Sequence, residues 1–203
     1  MTCPNATLIA AALMMMFAAA QASESTQINL PTVGVTLSRP QTWRVVSNTE
    51  REERVRAVEM KDKGLSEFVL EHMDKPFLVL SQDRLRSPAP SITMLIAPLD
   101  AGEDADPVAK LSRMAQSGFR AFESYTIQVP AKKCVIGGKN AAYTKATYVA
   151  PIERGAKEPM TFESWYIIRD GNYILIGAVS GNPELESLKS DIDSFINSIQ
   201  FTK

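Results

Sequence analysis

Histidine and cysteine, the residue types that serve most catalytic and metal sites, are scarce in this chain. Its 203 residues include one histidine, His72, and two cysteines, Cys3 and Cys134. A serine or cysteine nucleophile needs a nearby base, most often histidine, and a catalytic zinc needs three protein ligands. His72 falls on the apolar side of a predicted helix, where we interpret it as a core-edge or surface residue. We therefore expect no enzymatic activity, no cofactor, and no catalytic or metal-binding residue.

Hydrolase motifs are also missing. Residues 64–68 (GLSEF) come nearest to a Gly-x-Ser-x-Gly elbow, but they lack the last glycine and lie within a helical pattern rather than after a strand. A pair of carboxylates, such as glycoside hydrolases use, stays open as an alternative, because the two acids can come from distant parts of a chain.

Cys134 is the remaining candidate nucleophile. It follows Lys132 and Lys133, whose positive charges would lower the pKa of a thiol. It also begins an apolar strand, and single thiols commonly serve as small buried hydrophobic residues. We interpret Cys134 as structural and leave its exposure open.

Two polar segments resemble ligand loops without meeting their requirements. Residues 100–106 (DAGEDAD) lack the alternating aspartates and the bidentate glutamate of a calcium loop, so we interpret them as an acidic turn that caps a helix. Residues 137–139 (GGK) lack the spacing of a phosphate loop and predict a tight turn between strands.

The first 22 residues differ in composition from the rest. They contain no Asp, Glu, Lys or Arg, and residues 8–20 form an apolar run of 13 residues. Such a run is shorter than a membrane-spanning helix but typical of a signal peptide, and residues 20–22 (AQA) suit signal peptidase. We predict a signal peptide at 1–22, a single domain at 23–203 with no transmembrane segment, and a periplasmic or secreted location. The missing basic residue before the run departs from the pattern, and a buried N-terminal helix or a wrongly assigned start is the alternative.

The charge of the chain is nearly balanced. It has 22 Lys and Arg against 23 Asp and Glu, a net charge of −1. A nucleic-acid partner is not expected, because binding a phosphate backbone generally requires a basic surface.

Apolar periodicity places helices and strands in an interleaved order. Helices are predicted over residues 49–73, over 107–122 with Asp106 as the cap, and from Asn182 and Pro183 to 199. Residues 170–172 (DGN) predict a hairpin turn. The predicted strands are 27–30, 34–37, 77–80, 92–96, 125–129, 134–136, 141–149, 160–168 and 173–179, and residues 38–46 are predicted to turn at Pro40 and return to β character.

Continuous apolar runs such as residues 173–179 (YILIGAV) need cover on both faces of a sheet. The predicted fold class is therefore α+β, as an α/β/α sandwich with a central, largely antiparallel sheet and helices on both faces.

Four passages of the chain have a familiar arrangement: residues 34–43 (GVTLSRPQTW), with Pro-x-x-Trp, 136–142 (IGGKNAA), the hairpin at 165–179, and 193–199 (DSFINSI). In these passages the chain resembles the PsbP-like family, whose fold is shared with the Ran-binding protein of yeast nuclear import. The resemblance implies binding rather than catalysis. It transfers no functional residue, because the matched positions are turns and core.

The expected function is an exported, non-enzymatic binding or accessory domain of the cell envelope, whose partner is another envelope protein. The alternative is a carrier of a small apolar ligand in a pocket lined by Met94, Met114, Phe119 and Phe122. A hydrolase with a carboxylate pair comes third.

Overall fold

The computed structural model describes residues 26–47, 49–50, 76–82, 89–99, 106–151, 156–181 and 187–202. The predicted signal peptide at 1–22, His72, residues 64–68 and residues 100–105 lie outside these ranges. Of the helix predicted over 49–73, only residues 49 and 50 are described, and both are helical.

Besides residues 49 and 50, the described ranges contain two α-helices, one 3₁₀ helix (Pro31–Val33) and ten strands. The helices are α1 (Pro107–Ala121) and α2 (Lys189–Ser198). The strands are β1 (Thr26–Leu30), β2 (Val35–Arg39), β3 (Trp43–Val45), β4 (Pro76–Gln82), β5 (Ser91–Pro98), β6 (Glu123–Ile136), β7 (Lys139–Pro151), β8 (Lys157–Arg169), β9 (Asn172–Gly181) and β10 (Gln200–Phe201).

The strands form two sheets. A seven-stranded sheet has the order β3-β4-β5-β9-β8-β7-β6, and a three-stranded sheet has the order β1-β2-β10. Every neighbouring pair in both sheets is antiparallel. The predicted class, α+β with a largely antiparallel sheet, is confirmed.

Each helix contributes to a different apolar cluster. Ile192 and Phe195 of α2 lie in a larger cluster with Ile167 of β8, whereas Leu111 of α1 lies in a second cluster with Tyr166 of the same strand. Adjacent residues of a strand point to opposite faces of the sheet, which explains why the neighbours Tyr166 and Ile167 belong to different clusters.

The start of α1 follows the predicted cap. Pro107 is its first residue, and the backbone N–H of Val108 donates a 2.9 Å hydrogen bond to Oδ1 of Asp106. The helix ends at Ala121, one residue before the predicted end, and Phe122 is 42% exposed instead of continuing the apolar stripe.

The apolar stripe of α2 is confirmed over its described part. Leu188, Ile192, Phe195, Ile196 and Ile199 are all buried. The cap predicted at residues 182 and 183 lies outside the described ranges, and α2 itself begins at Lys189.

Strand β6 departs from the prediction of two separate strands at 125–129 and 134–136. It is continuous, and register shifts between the pairs formed by Glu123, Thr126, Ile127, Val129 and Lys132 absorb the intervening residues. The missing N–H of Pro130 is tolerated because β6 lies at the edge of the sheet.

Candidate functional site

The hairpin between β6 and β7 carries the most prominent exposed features of the described chain. Its turn consists of Gly137 and Gly138, with φ of 54° and 76°, and Ile136 pairs with Lys139 across it. Positive φ at both turn residues is characteristic of a type I′ turn, which glycine adopts readily. The tight turn predicted at residues 137–139 is confirmed.

We define the hairpin surface as Lys132, Lys133, Val135 and Lys139. Val135 is 69% exposed, more than any other large hydrophobic residue that the structure describes, and the three lysines are also exposed. Within the described ranges, none of these lysines forms an ion pair. Lys132 instead places Nζ 5.5 Å from the ring centre of Tyr143. The surface combines an apolar side chain with three positive charges.

An open groove lies beside the hairpin surface. Its volume is about 330 Å³, and it is lined by Pro107, Gly138, Lys139, Asn140 and Ile168. Val135 pairs with Asn140, so the exposed valine stands next to the groove across the hairpin. At the lower end of ligand-pocket volumes and with few apolar walls, the groove suits a side chain of a partner better than a buried apolar ligand.

Cys134 lies between Lys133 and Val135 in sequence, but its side chain is on the opposite face of β6. It is half-buried, packs against the larger cluster, and pairs with Ala141. Burial raises the pKa of its thiol, and the positive charge of Lys132 only partly opposes that rise. This agrees with the structural interpretation, because a raised pKa leaves the thiol protonated and poorly nucleophilic.

Only one acidic side chain in the described ranges is buried. Glu163 of β8 is 3% exposed, and its Oε1 lies 3.5 Å from Nζ of Lys145 on β7. Its nearest charged partner there is a cation rather than the second carboxylate of a hydrolase. This pair was not predictable from the sequence, because only the register of β7 and β8 places residues 145 and 163 opposite each other.

No group of three or more histidine, cysteine, aspartate or glutamate side chains suited to a metal occurs in the described residues. Over the same ranges, no helix is both long and apolar enough to span a membrane.

Among the residues of the predicted apolar pocket whose side chains are described, Met94 and Met114 lie in different clusters. Met94 is 1% exposed within the larger cluster, whereas Met114 packs against the second cluster. Phe122 contacts Tyr148 near the end of α1, with ring centres 4.3 Å apart and ring planes tilted by 35°. The side chain of Phe119 lies outside the described part. The carrier hypothesis therefore loses the residues on which it depended.

Known structures share this architecture. LpqN of Mycobacterium tuberculosis, described as involved in cell envelope biogenesis, superposes with a TM-score of 0.56 at 14% identity, covering 89% of this chain and 91% of LpqN. The cyanobacterial PsbP protein of Synechocystis sp. PCC 6803 gives 0.53 at 9% identity, with 90% and 95% covered. The Ran-binding protein Mog1p of Saccharomyces cerevisiae gives 0.50 at 9% identity, with 90% and 97% covered.

In sequence, no family model and no curated protein matches the chain. At the identities above, the likeness concerns the fold alone. The resemblance expected from the Pro-x-x-Trp passage and the hairpins is confirmed: this chain has the Mog1p/PsbP-like fold.

Proposed function

We propose that this chain is an exported, non-enzymatic binding domain of the cell envelope that docks another envelope protein through the hairpin surface. The observation that carries the proposal is Val135, 69% exposed among lysines without ion-pair partners in the described ranges. Val135 shares its face of the hairpin with Lys133, and Lys132 and Lys139 lie on the other face. An exposed apolar side chain with charged neighbours is a common composition of a small protein-binding patch. The likeness of fold to LpqN, described as involved in cell envelope biogenesis, supports an envelope role.

The arrangement of the helices supports the same surface. We infer that α1 and α2 cover opposite faces of the seven-stranded sheet, because Tyr166 contacts the cluster of α1 and Ile167 contacts that of α2. With helices on both faces, the edge strand and the hairpin ends are the parts of the sheet that a partner reaches.

Site-specific photo-crosslinking in the producing cell tests the docking surface. A photoreactive residue at position 135 is compared with one at Asn197, an exposed position on α2. We expect a discrete adduct from position 135 only, and a weaker one when Lys133→Glu and Lys139→Glu are added. Equal adducts from both positions, or none from position 135, would contradict the docking surface.

Export and the lack of catalysis are tested separately. We expect the protein in the periplasm or medium to begin at Ser23, as measured by N-terminal sequencing. Retention of Met1 there would contradict the proposed signal peptide, and turnover of glycoside or ester substrates abolished by Glu163→Gln would contradict the non-enzymatic part.

A further inference from the structure

We propose that residues 132–136 of β6 accept an extended acidic segment of a partner protein as an eighth strand of the sheet. This inference rests on the proposed function, because it uses the hairpin surface and specifies how the partner binds there. The partner segment would contribute main-chain hydrogen bonds, carboxylates and an apolar side chain.

The backbone of β6 carries the first part of the argument. In a two-residue hairpin, the pair that flanks the turn, Ile136 and Lys139, exchanges both of its hydrogen bonds. Along an antiparallel ladder bonded and non-bonded pairs alternate, so Cys134 bonds to Ala141 while Lys133 and Val135 form non-bonded pairs. The N–H and C=O groups of Lys133 and Val135 therefore point away from β7, toward the free edge.

The free edge is available over this stretch. Strand β6 is terminal in the seven-stranded sheet of the described chain, and the backbone hydrogen bonds outside the ladders involve neither Lys133 nor Val135. Two donors and two acceptors thus lie in line, at the spacing of a β-strand.

The side chains specify the chemistry of the added segment. Lys133 and Val135 share one face of β6, and Lys132 lies on the other. A segment with an acidic residue opposite Lys133, an apolar residue opposite Val135 and an acidic residue near Lys132 would match all three. The unpaired positive charges favour an acidic segment over a neutral or basic one.

Other parts of the sheet edges are less suitable. The part of β6 before Lys132 contains Pro130 and three register shifts, and bulges interrupt the straight row of groups that an added strand needs. At the opposite edge, β3 has only three residues, and its Arg44 already pairs with Glu50 at 2.6 Å.

Amide hydrogen exchange of the free protein tests the backbone geometry. We expect the amides of Lys133 and Val135 to exchange fast, and that of Cys134 to exchange slowly, because only the last is bonded within the sheet. Equal protection of all three would overturn the proposal.

Binding is tested with fluorescein-labelled peptides of eight residues with the core Val-Thr-Glu-Glu, which in an antiparallel alignment places valine opposite Val135 and the two glutamates opposite Lys133 and Lys132. Peptides with lysine in place of glutamate, and acidic peptides N-methylated at alternate amides, serve as controls. We expect the acidic peptide alone to bind and to protect the amides of Lys133 and Val135. Equal binding of the N-methylated peptide in both methylation registers would overturn strand addition, because those amides would then be dispensable.

Two substitutions at one position separate backbone from side-chain recognition. Val135→Ala shortens the side chain but keeps the N–H, whereas Val135→Pro also removes the N–H without breaking a bond to β7. We expect Val135→Pro to weaken binding about tenfold more than Val135→Ala, the scale of losing a main-chain hydrogen bond at a packed edge. Far-ultraviolet circular dichroism checks folding, and the N-methylated peptides give the same answer without altering the protein.

The outcomes distinguish the two proposals. Crosslinking at position 135 together with equal losses from Val135→Ala and Val135→Pro would overturn strand addition and leave docking through the hairpin surface. A second outcome is that the peptide does not bind, while the protein binds phosphatidylglycerol vesicles and Lys133→Glu abolishes that binding. This result would overturn the protein partner and assign the lysines to an anionic membrane. No binding to either probe would leave the lysines as protection against edge pairing, and would overturn strand addition.

Discussion

At the scale of single residues, Trp43 explains why the Pro-x-x-Trp passage marks this fold. Its backbone N–H donates to the carbonyl of Pro40 at 3.0 Å, which closes the turn. The indole is 1% exposed, and Nε1 donates to Oδ2 of Asp191 on α2 at 2.9 Å. One side chain therefore fills the core and attaches β3 to the last helix.

Substitution of Trp43 should separate these two roles. We expect Trp43→Phe to lower the free energy of unfolding by about 1–2 kcal/mol, because a ring remains but the hydrogen bond to Asp191 is lost. Trp43→Ala should cost about 3–5 kcal/mol, since it also leaves a cavity. Urea denaturation measures both, and equal losses would show that the indole N–H is the dominant contribution.

Tyr148 makes the stability of the protein depend on pH in the alkaline range. Burial, with a smaller effect from Tyr125, raises its pKa to about 12 from 10.0. In the unfolded chain the phenol ionises near its ordinary value, so stability is present below pH 10 and is lost as pH rises toward 12. Between pH 9 and 11 we expect the free energy of unfolding of the unsubstituted protein to fall by about 1 kcal/mol more than that of Tyr148→Phe. Urea denaturation at several pH values measures this. If the free energy of unfolding fell equally with pH in the unsubstituted protein and in Tyr148→Phe, the prediction would be contradicted.

At the scale of elements, the β6–β7 hairpin depends on two glycines in different ways. A Cβ on Gly137 would lie 2.7 Å from Cδ2 of Phe201 and 2.8 Å from the carbonyl oxygen of Ile199, whereas one on Gly138 would meet nothing within 4 Å. Both have positive φ. The turn is therefore constrained by its backbone at both positions and by β10 at one.

Alanine substitution at each glycine tests that difference. Gly138→Ala should cost about 1–2 kcal/mol through the left-handed backbone alone. Gly137→Ala should cost about 1–3 kcal/mol more, because Phe201 or the carbonyl of Ile199 must move. Chemical denaturation of the two variants measures this. Equal losses in the free energy of unfolding would mean that β10 moves away from the added methyl group without loss of stability.

At the scale of the whole molecule, Arg169 joins the two sheets. From the end of β8 its guanidinium donates to the carbonyl of Gly34 at 2.8 Å and to that of Thr202 at 2.5 Å. It also lies 5.1 Å from the ring centre of Phe201. The planar group reaches several partners at once, which a lysine ammonium does not.

Arg169→Lys should therefore destabilise the protein by about 1–3 kcal/mol, because at least one carbonyl loses a charged donor. Asp170→Asn is the matched control. It weakens the 2.9 Å pair with Arg169, but the aspartate side chain is 75% exposed and asparagine tolerates its positive φ. Calorimetry should give a lower melting temperature for the first variant and little change for the second. Equal shifts would assign the effect to the exposed pair.

Much of the architecture was predictable because its signals are local. The cap at Asp106, the glycine turns at 137–138 and 170–172, and the buried stripe of α2 follow from neighbouring residues and the geometry of single elements. Short apolar segments separated by turn residues also indicated the largely antiparallel sheet, which is confirmed.

The candidate site depends on contacts between distant residues. The sequence by itself determined that Val135 lies on a strand, but only the tertiary structure extends that strand over Lys132 and Lys133, places it at the edge of the sheet and leaves Val135 exposed. Strand order also sets Glu163 against Lys145, and helix packing divides Met94 from Met114. The physical reason is that periodicity encodes which side of an element is apolar, whereas pairing and exposure depend on which elements meet.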